Sequence, residues 1–321
     1  MQKIDAWLLT EGAHGMISQV EGLAKALDAN FEHKKIIYNS FWSLFPPMLT
    51  PKNKKIFNFD QIVNINEKIK KPNFLISCGR KSVIPSILLK RFFQKNNNII
   101  NIHIQDPKIN ISEFDFIIVP DHDSLNGENI IKSQGAIHYI SREEIEEKRK
   151  DKNSKNILSI ILGGPNKYYA FLEDEIKILF NKIDYLFFKD FDEVRIVTSR
   201  RTPNQIVNFL NLKYKDNKKI IIDSSLSRKN YVEALALSKK IIITSDSISM
   251  ISEAAVTGTP IYLARLKSKK NDYRFIKFLD LFTKLNIIKD LDTSEQYWTY
   301  DKLYETKRIA EIIKNKILKI V

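Results

Sequence analysis

The fold turns on the stretch KIIITSDSISMISEAAVTGTPIYLA, Lys240–Ala264. One apolar run ends at Thr244 and Pro260–Ala264 forms another, each the length of a buried strand. Between them Ser245, Asp246 and Ser247 are good helix caps, because short oxygen-bearing side chains accept from the free N–H groups of a first turn. Met250, Ile251, Ala254 and Ala255 recur at helical spacing as one apolar face, and Gly258 with Pro260 ends the helix. Ser249 and Glu253 stand four apart and share another face, one turn above the other. A carboxylate near such a helix start is placed to accept hydrogen bonds from the vicinal hydroxyls of a sugar. A plain capped helix with a solvated glutamate has the same spacing, so both readings stand.

The same alternation extends in both directions. Strands are predicted at Lys3–Leu9, Phe74–Ser77, Ile99–Ile104 and Phe116–Val119, then at Ile157–Leu162, Val194–Thr198 and Lys219–Asp223. Met16, Val20, Leu23, Ala24 and Leu27 mark one helix, and Val83 to Phe93 another, with Ile84, Ile87, Leu88 and Phe92 in phase. The tail from Tyr304 to Val321 carries Ile309, Ile312, Ile313 and Ile317 at helical intervals. Strands alternating with helices argue parallel sheets with crossover helices. The run REEIEEKRKDKNSKN, Arg142–Asn156, is charged and nearly free of apolar residues, which predicts a solvated helix end and linker. The expectation is α/β: two Rossmann-like doubly wound domains at 1–148 and 155–300 facing a cleft, with a terminal helix at 301–321.

A chain of 321 residues is long enough for two such cores. Its 52 Lys and Arg against 38 Asp and Glu give a formal charge of +14. Background composition and an anionic membrane surface both account for that excess. No basic block is interleaved with aromatics, so nucleic acid is not an expected partner. The single cysteine, Cys78, excludes an intrachain disulfide and reads as a buried, inert thiol. The start, MQKIDAWLLTEGAHG, is too short an apolar stretch for a signal peptide, and no run of ~18 apolar residues occurs. A soluble, cytoplasmic protein is expected.

In open α/β sheets, ligands sit beyond the carboxyl ends of the strands. At the first such end Gly12 and Gly15 flank Ala13 and His14 directly before a helix, whose N–H groups and dipole favour a phosphate. The short G-x-x-G spacing equally suits a tight turn with His14 in solvent. Gly163 and Gly164 follow a later strand, and Ser199, Arg200 and Arg201 follow the next. Two adjacent arginines there would neutralise a diphosphate with forked donors. The alternative puts one in an interdomain ion pair and the other in solvent. Arg80, Gln105 and Asp106 also close strands. Neither His103–Asp106 nor Asp121–Asp123 has compact ligand spacing, so no metal site is expected.

The pieces EGAHGMISQVEGLAKAL, SCGRKSV, HIQDP, VPDHD, ILGGP, TSRRTP and TSDSISMISEAAVTGTPIYL together resemble one family and span nearly the whole chain. It is a family of glycosyltransferase candidates that includes bacterial outer-core sugar transferases and a plant mitochondrial fission factor. Some members carry an older label as nucleoside-diphosphate-sugar epimerases. Glu11 stands where the family often has Asp. The resemblance implies a GT-B architecture, with the acceptor held by the first domain, the nucleotide sugar by the second and the last helix crossing back. By the same resemblance Glu253 binds the donor ribose and His14 is a base or phosphate contact. Gly12, Gly15, Gly163, Gly164, Ser199, Arg200, Arg201, Asp246, Ser247 and Ser249 complete the donor side, and Arg80, Gln105 and Asp106 the acceptor side. The implied activity is glycosyl transfer without a cofactor, onto a membrane-associated or lipopolysaccharide-type acceptor at the cytoplasmic face of a membrane. Arg200 and Arg201, standing where a metal would otherwise neutralise the diphosphate, make a metal-independent reaction the expectation. An epimerase on the same fold and a non-catalytic adaptor of the organelle-fission type are the alternatives.

Overall fold

The computed structural model describes residues 4–64, 71–94, 99–121, 123–150, 155–293 and 297–318. The chain opens with β1 (Asp5–Thr10), α1 (His14–Ala26), β2 (Asn30–Lys35), α2 (Phe59–Val63), β3 (Phe74–Cys78) and α3 (Val83–Phe93). Next come β4 (Ile100–Ile104), β5 (Phe116–Pro120), β6 (Ile130–Ser133) and α4 (Arg142–Lys150). The second series is β7 (Ile157–Leu162), α5 (Glu173–Phe187), β8 (Glu193–Thr198), α6 (Asn204–Lys213), β9 (Ile220–Asp223) and α7 (Arg228–Leu237). It continues with β10 (Lys240–Thr244), α8 (Ile248–Ala255), β11 (Ile261–Ala264), α9 (Tyr273–Lys284), β12 (Ile288–Asp290) and α10 (Glu305–Leu318).

These elements form two compact units, Met1–Tyr139 with Glu305–Val321, and Ile140–Tyr304. Each holds a six-stranded sheet, in the orders β2-β1-β3-β4-β5-β6 and β12-β11-β10-β7-β8-β9, with every pairing parallel. Parallel strands need a crossover and right-handed helices supply it, which is why near-continuous apolar runs such as ILSIIL in β7 are buried along their whole length. In each sheet the chain order reverses once, between β1 and β3 and between β7 and β10. Those two crevices are where a doubly wound fold binds ligands.

Alternate residues of each strand feed cores on the two sheet faces. In the first unit Leu9, Leu75 and Ile117 pack with Ile84 and Ile87 of α3. On the other face Leu8, Ile76 and Ile118 meet Val20 and Leu23 of α1 and Ile309 and Ile313 of α10. Burial of each of those two isoleucines contributes ~1.5–3 kcal/mol, enough to hold a terminal helix to the first unit. Gln134 N–H donates to Glu305 Oε2 at 2.7 Å and His138 N–H to Thr306 Oγ1 at 3.0 Å, fixing where α10 begins. The C-terminal helix thus crosses back, as expected. In the second unit Leu158, Ile160 and Leu162 pack with Ile176 and Phe180 of α5 and Ile206 of α6.

Two expectations change. The division falls at Tyr139–Ile140, ahead of the charged run. Most of that run is α4, whose Ile145 is buried. Arg149 ties the helix to the second unit through the carbonyls of Ala236 and Thr257, both at 2.9 Å. Residues 151–154 of the run lie outside the described residues. Three strands also went unpredicted, and β2, β6 and β12 are all sheet edges. An edge strand is half solvated, so NFEHKK in β2 carries no apolar run to read.

Candidate functional site

At the second crevice β7 ends in Gly163–Gly164 and β10 in Ser245–Ser247, side by side. The two loops approach so closely that only glycine fits. A Cβ on Gly163 would lie 2.1 Å from Asp246 Oδ2, and one on Gly164 would lie 2.0 Å from the carbonyl oxygen of Arg201. Backbone groups take up the contact. Gly163 N–H donates to Thr244 Oγ1 at 2.8 Å, and Gly164 N–H to Asp246 Oδ2 at 3.0 Å. The β8 loop closes the set, with Ser199 Oγ donating to the Gly163 carbonyl at 2.8 Å and Thr202 Oγ1 to the same oxygen.

The two arginines separate. Arg201 Nη2 pairs with Asp246 Oδ2 at 2.8 Å, and Nη1 donates to the Gly164 carbonyl at 2.6 Å. Its guanidinium therefore holds the loops together rather than standing open, and the pair is within this unit, not between domains. Arg200 is exposed and makes no hydrogen bond or ion pair among the described residues. Asp246 is buried, and its Oδ1 has no hydrogen-bond partner among the described residues. It does not cap the helix. That role falls to Ser247, whose Oγ accepts from Met250 N–H at 3.4 Å.

The first N–H groups of α8 have no partner in the helical ladder and open at this edge. Ser249 sits among them, half-buried. One turn on, Glu253 is only 6% exposed, which removes the solvated reading. Tyr231 of α7 donates its hydroxyl to Glu253 Oε2 at 2.8 Å. Met250 is half-buried, while Ser252 joins the buried face. Tyr231 had no signal in the sequence, since the pair is 22 residues apart with a strand between. A cavity of about 330 Å³ opens between β8, β9 and α7, lined in part by Arg195, Asp223, Asn230 and Glu233. Arg195 is held there by Glu193 at 2.6 Å and Glu233 at 2.9 Å. Sequence reasoning missed this cavity because its polar lining comes from three separate elements.

At the first crevice β1 runs into a left-handed Gly12, with φ +95°, and α1 begins at His14. Ala13 occupies the cap position and offers no side-chain cap. His14 is exposed and meets the Tyr139 ring edge-on at 6.2 Å. Glu11 pairs with Lys81 at 2.8 Å, joining the β1 and β3 loops. Arg80 is exposed and donates to the Ser43 carbonyl at 3.2 Å. At the end of β4, Gln105 is held at φ +89°, a conformation costing ~1–3 kcal/mol for a residue with a Cβ. Asp106, half-buried, accepts from Lys108 N–H at 2.8 Å. His14, Arg80, Gln105 and Asp106 therefore line one edge, at the ends of neighbouring strands. Gly15 lies in the first turn of α1.

Two groups are set aside. Cys78 is buried, and burial pushes its thiol up, so no thiolate forms near neutral pH. His103 is fully buried with Nδ1 at 2.8 Å from Ser77 Oγ, and burial lowers it to about 3. It is a neutral core histidine. Among the described residues no three of His, Cys, Asp and Glu gather to hold a metal ion, and no helix is long and apolar enough to cross a membrane. His122 lies outside the described residues.

The profile of the family described as "Mitochondrial fission ELM1" matches residues 14–317. The chain is 27% identical over 354 aligned residues to an uncharacterized protein of Rickettsia prowazekii, covering 97% of this chain and 98% of that one. It is 23% identical to the mitochondrial fission protein ELM1 of Arabidopsis thaliana, covering 77% of this chain and 64% of the plant protein. Among solved structures, the UDP-GlcNAc 2-epimerase of Neisseria meningitidis bound to UDP-GlcNAc aligns at TM-score 0.53 and 12% identity, covering 99% of this chain and all of that one. The likeness shows the fold, GT-B-like, with two Rossmann-like domains.

Proposed function

The chain belongs to the mitochondrial fission ELM1 family, and on that premise we propose that its second unit binds a nucleotide sugar at the ends of β7 and β10 and passes the sugar to an acceptor. The observation that carries this reading is Glu253. It is a buried carboxylate one turn inside a capped helix, at the crevice where the strand order reverses. Burying a carboxylate is costly unless donors satisfy it, and Tyr231 is one such donor. Two carboxylate oxygens accept several hydrogen bonds, so ribose hydroxyls would add to the donors it has.

In the proposed reaction an acceptor hydroxyl attacks the anomeric carbon and the nucleoside diphosphate leaves with the bonding pair. The charge that develops on the diphosphate is met by the first N–H groups of α8 and by Arg200, the open cation of the β8 loop. An arginine cation and helix N–H groups would serve the purpose a metal serves elsewhere, so we assign the reaction no metal. His14 is the candidate base for the acceptor hydroxyl, with Arg80, Gln105 and Asp106 on the acceptor side. The charge of +14 favours an acceptor carried by an anionic membrane, such as a lipid-linked or lipopolysaccharide-type glycan. One observation favours a binding protein without catalysis: Arg201 is spent on Asp246, leaving a buried carboxylate oxygen unpaired beside the diphosphate position.

Calorimetry with nucleoside diphosphates tests the site. Glu253→Ala should weaken binding at least ~tenfold, since a hydrogen bond to a charged group contributes ~1.5–3 kcal/mol. Glu253→Gln should lose less, because it keeps an acceptor. An alanine variant that binds as tightly as the wild type overturns the assignment. Labelled nucleotide sugars separate the activities: transfer or hydrolysis, isomerisation, or binding alone. Activity that a chelator abolishes and manganese restores would refute the metal-free mechanism.

A further inference from the structure

The connection from β2 to α2 contains IYNSFWSLFPPMLTPKNKK, Ile37–Lys55, of which the sugar site uses only the Ser43 carbonyl, the partner of Arg80. Five large apolar side chains in it stand in solvent: Ile37, Phe41, Leu44, Met48 and Leu49, between 53% and 76% exposed. Single exposed apolar residues are ordinary, but five within thirteen positions are a patch. The loop is nevertheless well built. Asn39 donates to the carbonyls of Lys55 and Ile56, both at 2.9 Å, Asn58 N–H to the Ile37 carbonyl at 3.0 Å, and Thr50 Oγ1 to Pro46 at 2.9 Å. The Phe41, Trp42 and Phe45 rings pack on one another with centroids 5.0–5.4 Å apart. The patch is thus held outward by a rigid base.

Its net charge is positive. From His33 to Phe59 the sequence has five lysines and no Asp or Glu. Lys55 is exposed, and Lys54 lies over the Phe59 and Phe92 rings at 4.6 and 4.5 Å. Lys52 shares the single carboxylate of Glu113 with Arg91, so that cluster stays net positive. Arg80 reaches in to the Ser43 carbonyl. Exposed aromatic and aliphatic tips on a segment with a cationic excess match the interface of an anionic bilayer, where acyl chains take the tips and headgroups take the charges.

We infer that Ile37–Lys55 is a membrane-docking loop that seats the first unit on an anionic lipid surface through Phe41, Leu44, Met48 and Leu49. It springs from the carboxyl end of β2, next to the edge that carries His14 and Arg80, so docking brings that edge to the membrane. The inference goes beyond the nucleotide-sugar reading and does not depend on it, since vesicle binding requires no donor.

The test is co-sedimentation of the full chain with vesicles of phosphatidylcholine alone and of phosphatidylcholine with phosphatidylglycerol, at low and high salt. The wild type should bind the anionic vesicles and lose them in high salt. The F41S/L44S/M48S/L49S variant should partition at least ~tenfold less while still unfolding in one cooperative transition, because the replaced side chains are mostly exposed and only Phe41 gives up ring contacts. K52E/K55E should lose binding chiefly at low salt. Brominated lipid should quench Trp42, which is half-buried, and spare Trp7 and Trp298, which are buried. Equal binding by the quadruple variant would overturn the inference, as would equal binding to neutral and anionic vesicles. A wild-type dimer that the quadruple variant disperses, without vesicle binding, would assign the patch to self-association instead. Nucleoside diphosphate affinity measured on the same quadruple variant should be unchanged. Loss of nucleotide binding in every variant and in the wild type would refute the sugar reading and leave the loop standing.

Discussion

The crevice at Gly163–Gly164 and the crevice at Glu11–His14 occupy equivalent points of two parallel sheets, each where the strand order reverses. Their chemistry differs sharply. The second-unit crevice buries its carboxylates, Asp246 and Glu253, and latches three loops through Gly163, Gly164 and Arg201. The first-unit crevice leaves His14 and Arg80 in solvent and joins its loops by a partly exposed Glu11–Lys81 pair. A locked crevice recognises a ligand by positions set in advance and pays little ordering entropy on binding. An open one admits a variable or bulky partner. The same topology thus builds a latched crevice at one edge and an open one at the other.

Substitutions at paired positions sharpen this contrast, beginning with the glycines. Gly164→Ala should destabilise by more than ~3 kcal/mol, because its Cβ would meet the Arg201 backbone and neither loop can yield. Gly12→Ala should cost about 1–2 kcal/mol, for backbone strain alone, since the nearest atom to its Cβ is the flexible end of Lys35 at 3.4 Å. Denaturant unfolding of the two variants measures the difference. Equal losses would mean that the second crevice is no more rigid than the first.

The arginines give the next contrast. Arg201→Ala leaves the Asp246 carboxylate buried with one donor fewer and should cost ~3 kcal/mol, the low end for breaking a buried pair because the arginine is partly exposed. Arg200→Ala should change stability by less than ~0.5 kcal/mol. It should nonetheless lower nucleoside diphosphate affinity in calorimetry. If Arg201→Ala melted like the wild type, the latch would not be structural.

Acid provides a third, of nearly the same size. His103 in the first unit has a folded-state pKa of about 3, depressed by burial, against about 6.5 unfolded. Below 6.5 the unfolded chain takes up a proton that the folded one refuses, so this stability is present at neutral pH and lost as pH falls toward 3. Between pH 7 and pH 4.5 the loss should be ~2–3 kcal/mol. His103→Gln keeps a partner for Ser77 Oγ and should lack that component of the acid dependence. Parallel pH profiles for the two proteins would show His103 charging without penalty.

The smallest expected effect is at His14. It is exposed and lies at a helix start without a side-chain cap, so His14→Ala should alter stability by less than ~0.5 kcal/mol. Any loss of transfer activity in that variant then reports chemistry rather than folding. Normal activity would remove His14 as the base.

Much of this architecture was readable from local pattern. The βαβ unit at Lys240–Ala264 and helix α3 at Val83–Phe93 fall where their apolar periodicity puts them. So does the face of α10 carrying Ile309 and Ile313, both buried. The edge strands β2, β6 and β12 were not readable, because solvent on one side removes the apolar run that marks a central strand. The charged run at Arg142 misled for a related reason: α4 docks through Ile145, the Arg149 hydrogen bonds and the Glu144–Arg228 pair, too few apolar positions for periodicity to register.

The sequence by itself determined the alternation of strands and helices, and through it two parallel sheets, the second of which carries Gly163, Arg200, Ser247 and Glu253 beyond its carboxyl end. Hydrophobic period and capping act over a few neighbouring residues, so they survive in the linear order. Only the tertiary structure decided how the charges at those ends are spent. Arg201 meets Asp246 across 45 positions and Tyr231 meets Glu253 across 22. Those pairings follow from strand order and loop approach, and whether a charged group is open to a ligand depends on such contacts through space, which spacing along the chain does not encode.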